Sequence, residues 1–112
     1  MFERILIPLD GSLRAELILS QVGRILRRED SEILLLRVVD VPRSIGRLDL
    51  ESLRRAELEE SELYLHDLAR RFGERASKIH GRVAEGPAAE TILDTARSEG
   101  STMIAMSTHG RT

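Results

Sequence analysis

The sequence predicts an α/β fold, an open and doubly wound parallel sheet with helices on both faces. The first observation is a series of short apolar segments without strict alternation, which is typical of strands buried on both faces. The second is that longer segments with apolar residues at helical spacing separate them. The resulting order β-α-β-α-β-α-β requires crossover connections, which join parallel strands and place helices on the faces of the sheet.

The first part of the chain predicts a strand, a helix and a second strand. Residues 5–9 are apolar on both faces and form the first strand. A turn over residues 10–12 follows, with Ser12 as the N-cap of a helix whose apolar residues recur at helical spacing as far as Arg28. Residues 32–39 are the second strand, with apolar residues at its centre.

The second part of the chain predicts two further helices and two further strands. A loop at residues 40–46 precedes a long charged helix over residues 50–72. A weaker strand over residues 79–85 leads into a helix with Pro87 in its first turn, a position that proline favours. Residues 102–106 are the fourth strand. The buried face of the third helix is predicted to hold Ala89, Ile92, Leu93 and Ala96.

Composition excludes several classes of protein. The chain of 112 residues contains no cysteine, so disulfides, thiolate metal sites and cysteine catalysis are excluded. The net charge of −2 argues against a nucleic-acid partner, and the single lysine, Lys78, does not stand in the Gly-Lys-Ser/Thr of a P-loop. The apolar runs are too short to span a bilayer and no signal peptide precedes the first strand, which predicts a cytoplasmic protein without a membrane partner.

Two segments at the predicted carboxyl edge of the sheet carry polar groups, and open parallel sheets bind ligands at that edge. Asp10 follows the first strand, where a carboxylate either accepts a hydrogen bond from a ribose hydroxyl or caps the turn. Residues 107–112 are rich in small, hydroxylated and glycine residues, a composition shared by phosphate-binding nests and ordinary surface loops. Both alternatives stay open for each segment. The three histidines show no metal-ligand spacing.

Four segments resemble the universal stress protein family, and together they extend the resemblance over the whole chain. Residues 1–12 resemble the opening of these domains, and residues 35–40 resemble their second strand. Residues 85–92 are similar to the family's Gly-x-Pro helix start, and residues 103–112 to the start of its nucleotide loop. The resemblance implies a doubly wound α/β fold that, in many members, binds ATP or AMP.

The resemblance also implies roles for particular residues. Asp10 would meet the ribose or adenine side of the nucleotide, and Val38 would contact the adenine through its backbone. Met106 would lie against the base, while the loop around Gly110 would approach the phosphates, with or without Mg²⁺. The nucleotide-binding residues implied in this way are Pro8, Leu9, Asp10, Val38, Met106, Ser107, His109, Gly110 and Arg111.

The chain departs from the family's ATP-binding pattern, which is Gly-x-x-Gly followed later by Gly-Ser/Thr. Ser107 stands at the first glycine, Gly110 stands at the second, and the final pair would fall beyond Thr112. The expectation is therefore one domain over residues 1–112 that lacks the family's last helix and fifth strand and binds ATP more weakly. The unpaired edge of the fourth strand is expected to self-associate, as a homodimer or a larger assembly.

Three functions follow as alternatives. The leading expectation is a nucleotide-binding regulatory domain of the stress response that binds ATP or AMP, rather than a metabolic enzyme. The second is a dimerisation or interaction module of the same family that binds no nucleotide. The third is a weak nucleotide hydrolase, for which Asp10 and Asp40 are the obvious carboxylates at the sheet edge.

Overall fold

The computed structural model describes residues 3–25, 31–73 and 78–106, and these residues form six strands and three helices. The strands are β1 (Glu3–Pro8), β2 (Ser31–Val39), β3 (Ser44–Ile45), β4 (Leu48–Asp49), β5 (Lys78–Glu85) and β6 (Met103–Ile104). The helices are α1 (Leu13–Ile25), α2 (Glu51–Phe72) and α3 (Ala88–Ser98).

Four of the strands form one parallel sheet in the spatial order β5-β2-β1-β6. From β1 the chain steps outward to β2 and then to β5, and it then returns to place β6 on the other side of β1. This reversal beside β1 is the switch point of a doubly wound sheet. Because α1 and α2 belong to the outward steps and α3 to the return, right-handed crossovers place α3 on the opposite face. The predicted fold class is confirmed.

The two central strands are buried on both faces. Ile7 and Leu35 point into a core that is shared with α1 and α2. Leu6 and Leu36 alternate with these residues along the strands and are fully buried on the opposite face. Each fully buried leucine or isoleucine side chain stabilises the fold by about 1.5–3 kcal/mol. The central strands therefore hold the sheet together and determine where its carboxyl edge lies.

A small hairpin stands where the sequence predicted a loop over residues 40–46, so that prediction was wrong in part. β3 and β4 pair antiparallel, with Ser44 opposite Asp49 and Ile45 opposite Leu48. Gly46 begins the two-residue connection with φ 60, a conformation that glycine adopts without strain and that hairpin turns require. Strands of two residues are too short to show a periodic pattern of apolar residues, so the turn residues between them were the only sequence signal for this hairpin.

The buried face of α3 was predicted correctly only in part: Ile92 and Ala96 are half-buried, but the other two predicted residues are not. Leu93 is 55% exposed and Ala89 is also exposed, whereas Thr95 is buried. The Thr95 hydroxyl donates to the Thr91 carbonyl at 2.7 Å, so the helix itself satisfies this polar group. With its hydroxyl satisfied, a threonine can occupy a buried position that the apolar pattern assigned to its neighbours.

The remaining boundaries are close to prediction. α1 begins directly after Ser12, and residues 26–28 at its predicted end lie outside the described residues. β6 is shorter than the predicted strand, although Thr102 and Ala105 on either side of it donate backbone hydrogen bonds to β1, at 2.8 and 2.9 Å. The attachment of β6 to β1 therefore extends one residue beyond each end of β6.

A polar contact joins α1 to α2 at the edge of the core. The Tyr64 hydroxyl donates a hydrogen bond to the Glu16 carboxylate at 2.9 Å, and the Arg71 guanidinium lies 3.4 Å from the same carboxylate. Burial is the main reason why the pKa of Tyr64 is raised. The hydrogen bond to Glu16 raises the pKa further, because an ionised Tyr64 could no longer donate to this carboxylate and would face its negative charge. Tyr64 therefore keeps its proton at pH values where an exposed tyrosine ionises.

Close packing of α2 on β5 requires a glycine at position 81. A Cβ on Gly81 would lie 2.9 Å from the Leu65 Cβ, an atom at the root of its side chain that cannot swing away. We expect Gly81→Ala to lower the free energy of unfolding by about 1–3 kcal/mol. Gly73→Ala is the matched control, because a Cβ on Gly73 meets no atom of the described residues within 4 Å. Equal urea midpoints for the two variants would contradict this packing.

Raising the pH is expected to destabilise the chain through Tyr64, its only tyrosine. The pKa of the folded state lies above the ordinary value of 10.0, so the unfolded chain releases this proton first. The stabilisation that comes from the protonated Tyr64 is fully present below pH 10.0, and it is lost as the pH rises toward the higher pKa of the folded state. The urea midpoint of Tyr64→Phe should fall less steeply above pH 10.0 than that of the wild type. Tyrosinate absorbance that develops in the native protein at the ordinary pKa would contradict this account.

Candidate functional site

A cleft of about 420 Å³ lies beyond the carboxyl ends of β1 and β2. The turn after β1, the last residues of β2 and the first turn of α3 form its walls. Open parallel sheets bind ligands at this edge, and the volume is within the range of small-molecule sites, about 300–1,000 Å³. The lining residues are Pro8, Leu9, Asp10, Ser12, Ala15, Leu36, Arg37, Val38, Ala88, Ile92 and Met106.

Several of the residues singled out from the sequence line this cleft. Asp10, with its two preceding residues, comes from the end of β1, Val38 comes from β2, and Met106 comes from the segment after β6. The fold thus brings together residues from three separate strands of the sheet. The predicted site residues that fall outside the described residues are Ser107, His109, Gly110 and Arg111.

The turn between β1 and α1 is built by hydrogen bonds from its own side chains. The Ser12 N–H donates to Asp10 Oδ1 at 2.9 Å, and the Ala15 N–H donates to Ser12 Oγ at 3.2 Å. Gly11 between them has φ 87, which glycine adopts without strain. Ser12 is therefore the N-cap of α1 and Asp10 caps the turn. A carboxylate offers about four acceptor sites, so a turn cap of this kind is compatible with ligand binding.

The backbone of Val38 faces the cleft because β1 ends before β2 does. The register of the two strands ends with Pro8 opposite Leu36, and the Leu9 N–H donates to the Leu36 carbonyl at 2.8 Å. Backbone groups alternate in direction along a strand, so those of Val38 point to the same side as those of Leu36, where β1 has ended. The Val39 carbonyl points the other way and bonds the turn after β5 at 3.0 Å. A donor and an acceptor side by side match the edge of a heterocyclic base.

Arg37 lines the cleft from within the sheet and was not singled out from the sequence. Its Nη1 is buried and has no hydrogen-bond partner among the described residues. Its Cζ lies 5.6 Å from the centre of the Tyr64 ring, and a Cβ on Gly11 would lie 2.9 Å from Nη1. One signal was available, because an arginine inside an otherwise apolar strand is rarely buried without a partner.

The first turn of α3 forms the third wall of the cleft. Pro87 precedes the helix in an extended conformation, and no side chain of the described residues caps that turn. Gly86 has φ 139, and a Cβ there would lie 2.7 Å from Thr91 Oγ1, so this turn requires glycine. The first amides of a helix have no partner within it, and the helix dipole makes this wall favourable for acceptors and anions.

The chemistry of the described residues has clear limits. Among them, no helix is long and apolar enough to cross a membrane. No group of three or more histidine, aspartate or glutamate side chains in residues 3–25, 31–73 and 78–106 is placed to hold a metal ion. The charged side chains in the described lining of the cleft are Asp10 and Arg37, one of each sign.

The fold is similar to that of solved universal stress proteins. A family member from Burkholderia pseudomallei is 27% identical with a TM-score of 0.82, and the match covers 96% of this chain and 83% of that one. A universal stress protein in complex with cAMP is 14% identical with a TM-score of 0.70, covering 94% and 75%. A family member from Arabidopsis thaliana with AMP bound is 12% identical with a TM-score of 0.69, covering 92% and 76%.

The comparison of sequences agrees with that of folds. No curated protein sequence matches the chain. A sequence model of the universal stress protein family matches residues 1–112, the same length over which the four segments resemble that family. The chain belongs to the universal stress protein family.

Proposed function

We propose that the chain binds an adenine nucleotide, AMP or ATP, and acts as a nucleotide-dependent regulatory domain of the stress response in the cytoplasm. One observation carries the proposal: the cleft at the switch point joins a carboxylate, Asp10, to the outward-facing backbone of Val38. These are the two kinds of group that recognise a ribose and a base. Met106 borders the same cleft and supplies an apolar surface for the base.

The proposed placement of the nucleotide follows from these groups. The adenine edge pairs with the N–H and C=O of Val38, and the ribose hydroxyls donate to Asp10. The phosphates extend toward residues 107–112, which follow Met106 directly in the sequence and resemble the start of the family's nucleotide loop, with Ser107 in place of its first glycine. The solved universal stress proteins with cAMP and with AMP bound support adenine nucleotides as the class of ligand.

A second function, assembly through β6, rests on a separate observation. β6 pairs with β1 on one side, and the described residues contain no strand on its other side. Met103 is 48% exposed and Met106 is 53% exposed, so the edge is apolar. Because unpaired apolar edges recruit other strands, we infer that two copies of the chain associate here as a homodimer.

Calorimetric titration with AMP, ATP and adenosine, with and without Mg²⁺, tests nucleotide binding. We expect saturable binding of AMP and ATP with one site per chain. Asp10→Ala should abolish binding and also cost about 1 kcal/mol of stability, because the turn loses its cap.

Asp10→Asn separates the two roles of this residue. Asparagine caps turns about as well as aspartate, so the urea midpoint should stay near that of the wild type. Its side chain presents an uncharged amide to the ribose, so the affinity for AMP should still fall, by about tenfold or more. Wild-type affinity in Asp10→Asn, or no binding of any nucleotide by the wild type, would contradict the proposal.

Sedimentation velocity at increasing protein concentration tests the assembly. The wild type should sediment as a dimer at high concentration. Met103→Lys should sediment as a monomer with an unchanged melting temperature, because a lysine on an edge strand blocks pairing with another chain. A wild type that stays monomeric at the highest concentration would contradict assembly through β6.

A further inference from the structure

Arg37 places a guanidinium with one unpartnered buried nitrogen in the lining of the cleft. Its Nη1 is fully buried and has no hydrogen-bond partner among the described residues. A buried donor without a partner destabilises a fold, and a charged one does so more than a neutral one. The Glu16 carboxylate, which could have neutralised a cation in this layer, already accepts from the Tyr64 hydroxyl and lies beside Arg71.

The guanidinium lies under the turn that connects β1 to α1. A Cβ on Gly11 would stand 2.9 Å from Arg37 Nη1 and 3.5 Å from Cζ, so the guanidinium packs closely against this glycine. Asp10 and Ser12 on either side of Gly11 line the same cleft. Asp10 Oδ1 accepts from the Ser12 N–H, which leaves the turn braced by its own hydrogen bond and not by the arginine.

The ring of Tyr64 supports the guanidinium from the other side. Arg37 Cζ lies 5.6 Å from the ring centre, within the range of a cation–π contact. Such a contact fixes the orientation of the guanidinium. It does not satisfy the guanidinium N–H groups, because these point outward in the plane of the guanidinium, where the ring offers no lone pair. Arg37 is therefore held in position with donor capacity that the described chain does not use.

We propose that Arg37 binds a phosphoryl group of the ligand at the Gly11 end of the cleft. The planar fork of a guanidinium matches two oxygens of a phosphoryl group, and the bond between opposite charges is stronger in a partly enclosed site. The inference rests on the proposed function and deepens it. It makes a phosphorylated nucleoside the preferred ligand over the free nucleoside, and it adds a residue on β2 to the phosphate-binding groups proposed for residues 107–112.

A purely structural role for Arg37 makes the opposite prediction about stability. If the arginine served to brace α2 or the turn, Arg37→Met would lower the melting temperature of the ligand-free chain. If it is kept for an anionic ligand, methionine retains the packing on Tyr64 and removes an unsatisfied buried donor. The melting temperature of ligand-free Arg37→Met should then be equal to or higher than that of the wild type.

The experiment titrates AMP, adenosine and inorganic phosphate into the wild type, Arg37→Met and Arg37→Lys. Arg70→Met is the matched control, because Arg70 is an exposed arginine of α2 with 76% of its side chain accessible. We expect the wild type and the control to bind AMP more tightly than adenosine. Arg37→Met should lose about tenfold to a hundredfold in AMP affinity, the range for a charge-assisted hydrogen bond, and keep its adenosine affinity. Arg37→Lys should fall between the two.

The outcomes separate this inference from the proposed function. AMP affinity that is unchanged in Arg37→Met, or that falls together with adenosine affinity and melting temperature, overturns the inference and leaves nucleotide binding standing. A wild type that binds inorganic phosphate through Arg37 but neither AMP nor adenosine supports a phosphoryl site and overturns the proposed function. A wild type that binds none of the three ligands overturns both.

Discussion

The burial of β1 between β2 and β6 is the constraint on which the rest of the molecule depends. Leu6 and Ile7 on its two faces are inaccessible to solvent, so neither face of the strand can shift without opening the core. The strand is also where the order of the sheet reverses. A strand held this tightly ends at a fixed place, and Pro8 at that end cannot donate to a further rung of the ladder.

The end of β1 creates the cleft. β2 continues past Pro8 and exposes the backbone of Val38 on the side that β1 has left. The chain must then turn sharply into α1, and Gly11 supplies the positive φ while Asp10 and Ser12 supply the hydrogen bonds. The groups that form the candidate site are thus a consequence of how a central strand ends, and Asp10, which caps the turn, also lines that site.

Local chemistry made part of the site predictable. A carboxylate and a capping serine after an apolar strand indicate a turn whatever the surroundings, and both were found where the sequence placed them. The exposure of the Val38 backbone could not be predicted from the sequence, because it depends on where two strands that are distant in sequence end relative to each other. Arg37 was missed for a related reason: its surroundings depend on which groups fold around it, and those come from the turn between β1 and α1 and from α2.

The errors in the helices and loops have the same origin. The apolar pattern places Leu93 on the buried face of α3, but Leu93 is exposed and Thr95 is buried, with its hydroxyl satisfied by the Thr91 carbonyl. The β3–β4 hairpin depends on one turn at Gly46 rather than on any periodic run. Periodicity therefore predicted the elements of the central sheet well. Periodicity was less successful for the buried face of α3 and for the β3–β4 hairpin, where a single hydrogen bond or a single dihedral angle determines the local structure.

The most direct test of the account is to map where a nucleotide contacts the chain, using amide chemical-shift changes during titration with AMP. The account predicts that the largest changes occur around the cleft, at Gly11, Ser12, Val38 and Ala88. Residues of the α2–β5 contact such as Gly81 should not move. Changes centred on that contact, or no changes anywhere at saturating AMP, would contradict the claim that the end of β1 builds a nucleotide site.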